Sequence, residues 1–106
     1  MHTFNTLTDI AKAMSDINRV KIITLIQREN GVCVCEICDT LELSQPLVSR
    51  HLKQLKQVGI LSSHKEGKWV IYTIAKKPSE LLQSYFLVMQ YLESELPDVV
   101  SCSIRV

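Results

Sequence analysis

The chain has 106 residues, 46% of them hydrophobic and 22% charged, with four cysteines and a formal net charge of +1, the composition of one globular domain. A chain this short holds a modest core rather than a deep lidded cleft, which disfavours an enzyme. Its longest uninterrupted apolar run, Tyr85 to Met89, is far below the roughly 18 residues of a membrane span. The first residues lack the basic and apolar regions of a signal peptide, so the expected setting is the cytoplasm, with no membrane partner.

The charge is unevenly distributed. Residues 1–43 are net −2, residues 44–77 carry seven basic and one acidic side chain for a net of +6, and residues 78–106 are net −3. A basic central third between acidic flanks suits a phosphate-bearing partner, although a solvated lysine face gives the same count.

Leu7, Ile10, Ala11 and Met14 recur at helical spacing and predict a first helix starting near Thr3 or Thr6. A second helix is predicted from Ile17, capped by Ser15 or Asp16 and stopped by Asn30-Gly31. A short third helix follows from about Cys35 to Leu41. The fourth is capped by Ser44 and tolerates Pro46 in its first turn, where the missing amide would have been unpaired. Its apolar positions are Val48, Leu52, Leu55 and Val58, and Gly59 ends it. The opposite face carries Gln45, Ser49, Arg50, Lys53, Gln54, Lys56 and Gln57.

The period then becomes alternating. Leu61 to Lys65 and Trp69 to Ile74 predict two strands joined through Glu66-Gly67 as a hairpin. Ser79 caps a last helix through Leu82, Tyr85, Met89, Leu92 and Leu96, ended by Pro97. Leu81, Phe86 and Val88 widen the apolar surface of that helix beyond one stripe, which suits a homodimer in which the first and last helices pack against their symmetry mates. A helix lying across its own domain is the alternative.

A short helix, a turn and a second helix with an apolar back and a Gln/Ser/Arg/Lys front is the helix-turn-helix arrangement. The roughly 13 residues from Gln45 to Gln57 span about 20 Å, long enough to lie along a major groove. Gln pairs with adenine and Arg with guanine through two bonds each, while Ser and Lys reach phosphates or base edges. Lys65 and Lys68 flank the hairpin tip, where a wing meets the neighbouring backbone. The expected fold is therefore mainly α with a β-hairpin wing, an α+β winged helix-turn-helix. It fills residues 1–98 as a single domain with a tail at 99–106. Its expected contacts with double-stranded DNA are Ser44, Gln45, Ser49, Arg50, His51, Lys53, Lys65 and Lys68. His51 lies between the apolar seam and the polar face, so an interior hydrogen bond competes with DNA contact there. His64 reads as structural or solvent-facing.

Cys33, Cys35 and Cys38 crowd the start of the third helix, and no export signal suggests disulfides. A helix N-terminus favours thiolate over thiol, which suits a soft metal or metalloid. Three thiols with no nearby histidine favour a three-coordinate pyramidal ion such as As(III) or Sb(III) over tetrahedral zinc. Zinc stays open if Cys102 of either subunit supplies a fourth ligand. On a regular helix Cys33 and Cys35 are about 200° apart, so binding through all three must distort the helix start and displace Gln45, Ser49 and Arg50. No organic cofactor is implied. Oxidation of the same thiols is a second reading. A thiol enzyme lacks a phosphate-cradling loop and a base partner, and an ion carrier leaves the polar helix face unexplained.

The segments Cys33-Val-Cys-Glu-Ile-Cys38, Leu43-Ser-Gln-Pro-Leu-Val-Ser-Arg-His-Leu52, Gly59-Ile-Leu and Gly67-Lys-Trp-Val-Ile-Tyr72 resemble the arsenical-resistance repressors of the ArsR/SmtB family over roughly residues 7–75. The resemblance implies a homodimeric repressor that leaves its operator when arsenite or antimonite binds Cys33 and Cys35, with Cys38 as third ligand. It also implies DNA contacts from the helix holding Gln45, Ser49, Arg50 and His51 and from the wing at Lys65 to Lys68. Other members hold zinc or cadmium through Asp, His and Glu on the last helix; the stretch from Ser79 to Leu96 here has no histidine. A zinc- or cadmium-responsive repressor of the same fold is the remaining alternative. Cys102 and the tail fall outside the resemblance.

Overall fold

The structure is a computed structural model that describes residues 3–101. The chain runs α1 (Phe4–Ala13), α2 (Ile17–Glu29), β1 (Val32–Cys33), α3 (Val34–Leu41), α4 (Gln45–Gln57), β2 (Leu61–Glu66), β3 (Trp69–Ile74) and α5 (Glu80–Leu92), closed by a 3₁₀ turn at Glu93–Glu95. The expected mainly helical fold with a β-hairpin wing is what the chain adopts.

Three helix starts have a local chemical cause. The Thr3 hydroxyl accepts from the Thr6 amide, Asp16 accepts from the amides of Asn18 and Arg19, and Ser79 accepts from the Leu82 amide, satisfying donors that a first helical turn leaves unpaired. Backbone bonds to Asp16 hold its carboxyl below the usual range. α2 stops at Asn30, which is left-handed at φ 58°. Gly31 follows at φ +126°, where an added Cβ would lie 3.1 Å from Ile71 and 3.2 Å from Thr73. Glycine is required there both by the backbone and by the closeness of β3.

β1 was not foreseen from the sequence. It is two residues long, too short for a periodic signal, and exists because Val32 and Cys33 pair antiparallel with Tyr72 and Ile71. The sheet order is β1-β3-β2. The hairpin register runs from Leu61 opposite Ile74 to Glu66 opposite Trp69. The loop is therefore Gly67-Lys68 rather than Glu66-Gly67, with Gly67 at φ +62° as a two-residue turn requires.

The last helix is shorter than expected. It gives way after Leu92 to the 3₁₀ turn, because the Arg28 guanidinium collects the carbonyls of Glu93, Leu96 and Pro97 at 3.0, 3.3 and 2.7 Å. Nor does packing stop at residue 98. Val99 lies against the core and the Val100 amide donates to Thr40 Oγ1 of α3 at 2.9 Å.

The core is centred on α2, whose Ile22, Ile23, Leu25 and Ile26 are fully buried. Ile37, Val48, Leu52, Leu55, Ile60 and Ile71 surround them, with Leu82, Phe86 and Met89 of α5. Burial of this apolar surface at about 25 cal/mol per Å² dominates the stability.

Candidate nucleic-acid interface and thiol cleft

α4 buries Val48, His51, Leu52 and Leu55 and turns Gln45, Ser49, Arg50 and Lys53 outward. Ser44 sits at its N-cap in extended conformation, exposed, with no capping bond from its hydroxyl. Lys65 on β2 and Lys68 in the turn are exposed at the hairpin tip, and the Lys68 ammonium lies 5.7 Å from the centre of the Trp69 ring. Two polar residues of the α4 front are engaged within the chain. Gln54 accepts from Arg19 at 3.3 Å, and Lys56 donates to Ser63 on β2 at 2.7 Å.

His51 requires a correction. It is 5% exposed, and its ring faces α2 rather than the outward surface. Arg19 Nη1 lies 3.4 Å from Nδ1, and Asp16 Oδ1 lies 3.9 Å from Nε2. Burial pushes its pKa below the ordinary value; Asp16 opposes that shift, while Arg19 and Arg50 add to it. His51 ties α4 to α2, because its ring points back into the seam between the two helices rather than out with Gln45, Ser49 and Arg50. Arg19, which the sequence did not single out, is the hub of this tie, since it also donates to the carbonyls of Ala13 at 2.9 Å and Lys12 at 2.8 Å. His64 is exposed and lies 3.2 Å from Glu66.

The thiols are arranged differently from the helical expectation. Cys33 is the N-cap of α3 at φ −90°, ψ 168°, and its amide donates to the buried Glu36 carboxylate at 3.0 Å. Because Cys33 is extended and Cys35 helical, the two side chains turn to the same side, and their Sγ atoms are 3.2 Å apart. The anticipated need to unwind the helix for this pair therefore does not arise. Cys33, Cys35 and Cys38 line one cleft of about 480 Å³ with Asp39, Gln45, Trp69 and Val70. Among the described residues no three His, Cys, Asp or Glu side chains converge closely enough to hold a metal, so Cys38 stands on the cleft wall without closing on the other two. Burial, and next the Asp39 charge, push the Cys38 thiol up, opposite to the thiolate expected at a helix start, because Cys38 lies a full turn inside α3. Cys102 lies outside the described residues.

The cleft owes its existence to strand register. β1 ends at Cys33 opposite Ile71, so Val70 and Trp69 run past it and leave a gap between the edge of β3 and α3. Gln45 at the start of α4 forms another part of the wall. No local pattern announced Trp69, Val70 or Gln45 as neighbours of the thiols.

The two-helix unit, its basic front and the hairpin define a winged helix-turn-helix regulatory protein. The family described as bacterial regulatory protein, arsR family, matches residues 16–63. An HTH-type transcriptional regulator of Methanocaldococcus jannaschii is 39% identical over 74 residues, which are 70% of this chain and 83% of that protein. The chain belongs to the arsR family of bacterial regulatory proteins. It is similar to the arsenic resistance transcriptional regulator ArsR1 of Pseudomonas putida, 46% identical over 65 residues, 61% of this chain and 51% of that one. It is also similar to the cadmium resistance regulatory protein CadC of Listeria innocua, 43% identical over 63 residues, 59% and 53% of the two chains. The chain thus spans about half the length of these two relatives. Among solved structures, reduced HlyU from Vibrio cholerae superposes with a TM-score of 0.71 at 28% identity, over 83% of this chain and 88% of that one.

Proposed function

We propose that the protein is a cytoplasmic, metalloid-responsive repressor. It holds operator DNA as a homodimer and releases it when As(III) or Sb(III) binds Cys33, Cys35 and Cys38. The observation that carries this reading is the 3.2 Å separation of the Cys33 and Cys35 sulfurs in a cleft that also contains Cys38 and Gln45. With bonds to sulfur of about 2.3 Å, a tetrahedral ion holds its sulfurs about 3.8 Å apart, whereas near-right angles bring them to about 3.3 Å. At 3.2 Å the two sulfurs, which share a hydrogen bond, are close enough for one ion to take both.

Neutral arsenous acid exchanges each hydroxyl for a thiol, the thiol proton leaving with that hydroxyl as water, so three thiols can take one As(III) in place of its three hydroxyls. A divalent cation needs thiolates and expels protons. The route to DNA is short: the Cys38 carbonyl accepts the amides of Glu42 and Leu43, the bonds that close the turn before α4. Drawing Cys38 inward to complete the ligand set strains that turn and tilts Gln45, Ser49 and Arg50. By linkage, DNA weakens the ion as much as the ion weakens DNA, typically about 5- to 150-fold.

The dimer reading is supported by Phe4 and Tyr91, 89% and 84% exposed, with Leu87 and Val88 at 60% each. Ile17 and Leu92 line one groove. Large apolar side chains bared along one helix, as Leu87, Val88 and Tyr91 are on α5, mark an interface.

The similarity to a cadmium resistance regulator favours, as second reading, a soft divalent cation in the same cleft. Fluorescence anisotropy of the reduced protein on DNA upstream of its own gene, titrated separately with arsenite, cadmium, zinc and peroxide, separates these readings. Release by arsenite is the expected result. Release by cadmium or zinc alone gives the second reading, and release by peroxide alone an oxidation sensor.

A further inference from the structure

Three observations converge on Trp69. It lines the thiol cleft with Cys33, Cys35 and Cys38. Its ring carries the Lys68 ammonium at 5.7 Å, at the wing tip. It lies on β3, two residues from Ile71, which is paired with Cys33. The indole is half-buried, with one side toward the cleft and a cation on its face, a contact in which the ring quadrupole attracts the charge.

We propose that Trp69 is a positioning residue through which occupancy of the thiol cleft reaches the wing, alongside the route through Cys38 and α4. The inference rests on the reading of the cleft as a metalloid site. An ion held by Cys33 and Cys35 sits against the cleft wall and shifts the indole. Lys68 follows its ring, and the wing loses its set against the DNA backbone. A wing disengaged in this way removes phosphate contacts, whereas a tilted α4 removes base contacts. The two routes therefore differ in salt dependence, since each lost phosphate contact lowers the slope of log K against log salt by about 0.9.

The test uses sodium arsenite and the full-length protein, with DNA affinity measured by anisotropy across a salt series. Trp69 is the only tryptophan, so its emission reports on this residue alone. In the wild type, arsenite should change that emission, lower DNA affinity at least tenfold and reduce the salt slope by about 1–2, the share of Lys65 and Lys68. Trp69→Leu should still take up arsenite, measured as protection of its thiols from a chromogenic disulfide reagent. Its DNA affinity should still fall on arsenite addition through α4, but at least threefold less than in the wild type and with no change in salt slope. Trp69→Phe, which keeps an aromatic face for Lys68, should recover a release of at least fivefold. Full arsenite release of Trp69→Leu, or wild-type release with unchanged emission and slope, would overturn the proposal. So would loss of arsenite uptake in Trp69→Leu, which would make the indole a wall of the site and nothing more. A wild type that ignores arsenite overturns the metalloid reading itself, and that failure is visible before any variant is made. Should circular dichroism show Trp69→Leu to be unfolded, Lys68→Gln replaces it, with the arsenite-induced slope change expected to shrink by about 1; an unaltered slope change there is equally fatal.

Discussion

The amide of Leu43 donates to the carbonyl of Cys38 at 3.1 Å, so a candidate ion ligand and the residue leading into the outward-facing helix share one hydrogen bond. Their relationship sets the first prediction. Cys33→Ser and Cys35→Ser should each abolish arsenite-induced release while leaving affinity in its absence intact, because neither residue is on the α4 front. Cys38→Ser should leave the 3.2 Å pair and raise the arsenite needed for release about tenfold or more, uncoupling uptake from the turn. Anisotropy titrations of the three variants check this, and a normal response from both Cys33→Ser and Cys35→Ser sinks the thiol assignment.

Arg50 and Lys65 are both exposed but are expected to act differently. Arg50→Ala should cost about 1–3 kcal/mol on the operator and relax preference at one base position, the signature of direct readout. Lys65→Ala should weaken all sequences alike and lower the salt slope by about 1. Binding to operator and scrambled DNA at several salt concentrations tells the two apart.

Leu87→Glu combined with Tyr91→Glu should yield a monomer, because both side chains are bared on α5 and paired charges at a symmetric interface repel. Light scattering coupled to size exclusion gives the mass. A dimer surviving both changes would place the interface elsewhere. Loss of half-site pairing should cost DNA affinity at least tenfold.

His51 gives the fold a pH dependence. Burial, with Arg19 and Arg50 adding to it, keeps its folded pKa below the ordinary value of 6.5, so below that pH the unfolded chain binds the extra proton. Stability is full above about pH 6.5, declines as pH falls through it, and levels off below the folded pKa. The melting temperature should therefore drop between pH 7.5 and 5.5, by roughly 4–8 °C for each kcal/mol lost. His51→Gln should remove this component; an unchanged pH profile in that variant would assign the dependence to other groups.

The helices and the hairpin were legible because their signals are local: hydroxyl and carboxylate caps, apolar spacing, Gly67 in a tight turn. Ser44 to Lys53 could be read as an outward face for the same reason, apart from His51, whose environment is made by Arg19 and Asp16 more than thirty residues away. The thiol cluster was legible as a cluster, but its geometry was not. Treating Cys33 as helical put it on the wrong side of the axis, since only pairing with Ile71 reveals that it is extended. Trp69, Val70 and Gln45 joined the site through the same long-range register. The bared apolar side chains of α5 were partly visible in the excess apolar residues of the last helix.

Arg19 and Arg28 lie on α2 nine positions apart, roughly 14 Å along its axis. One grips the outward-facing helix through Gln54 and His51; the other grips the end of α5 through three carbonyls. α2 is therefore a spacer bar of fixed length between the outward-facing helix α4 and the end of α5, where two copies would join. In a symmetric pair that bar, counted twice, sets how far apart the two front helices stand, and hence whether they can enter successive major grooves about 34 Å apart. Core substitutions in α2, far from base or thiol, would change the operator spacing the dimer can span.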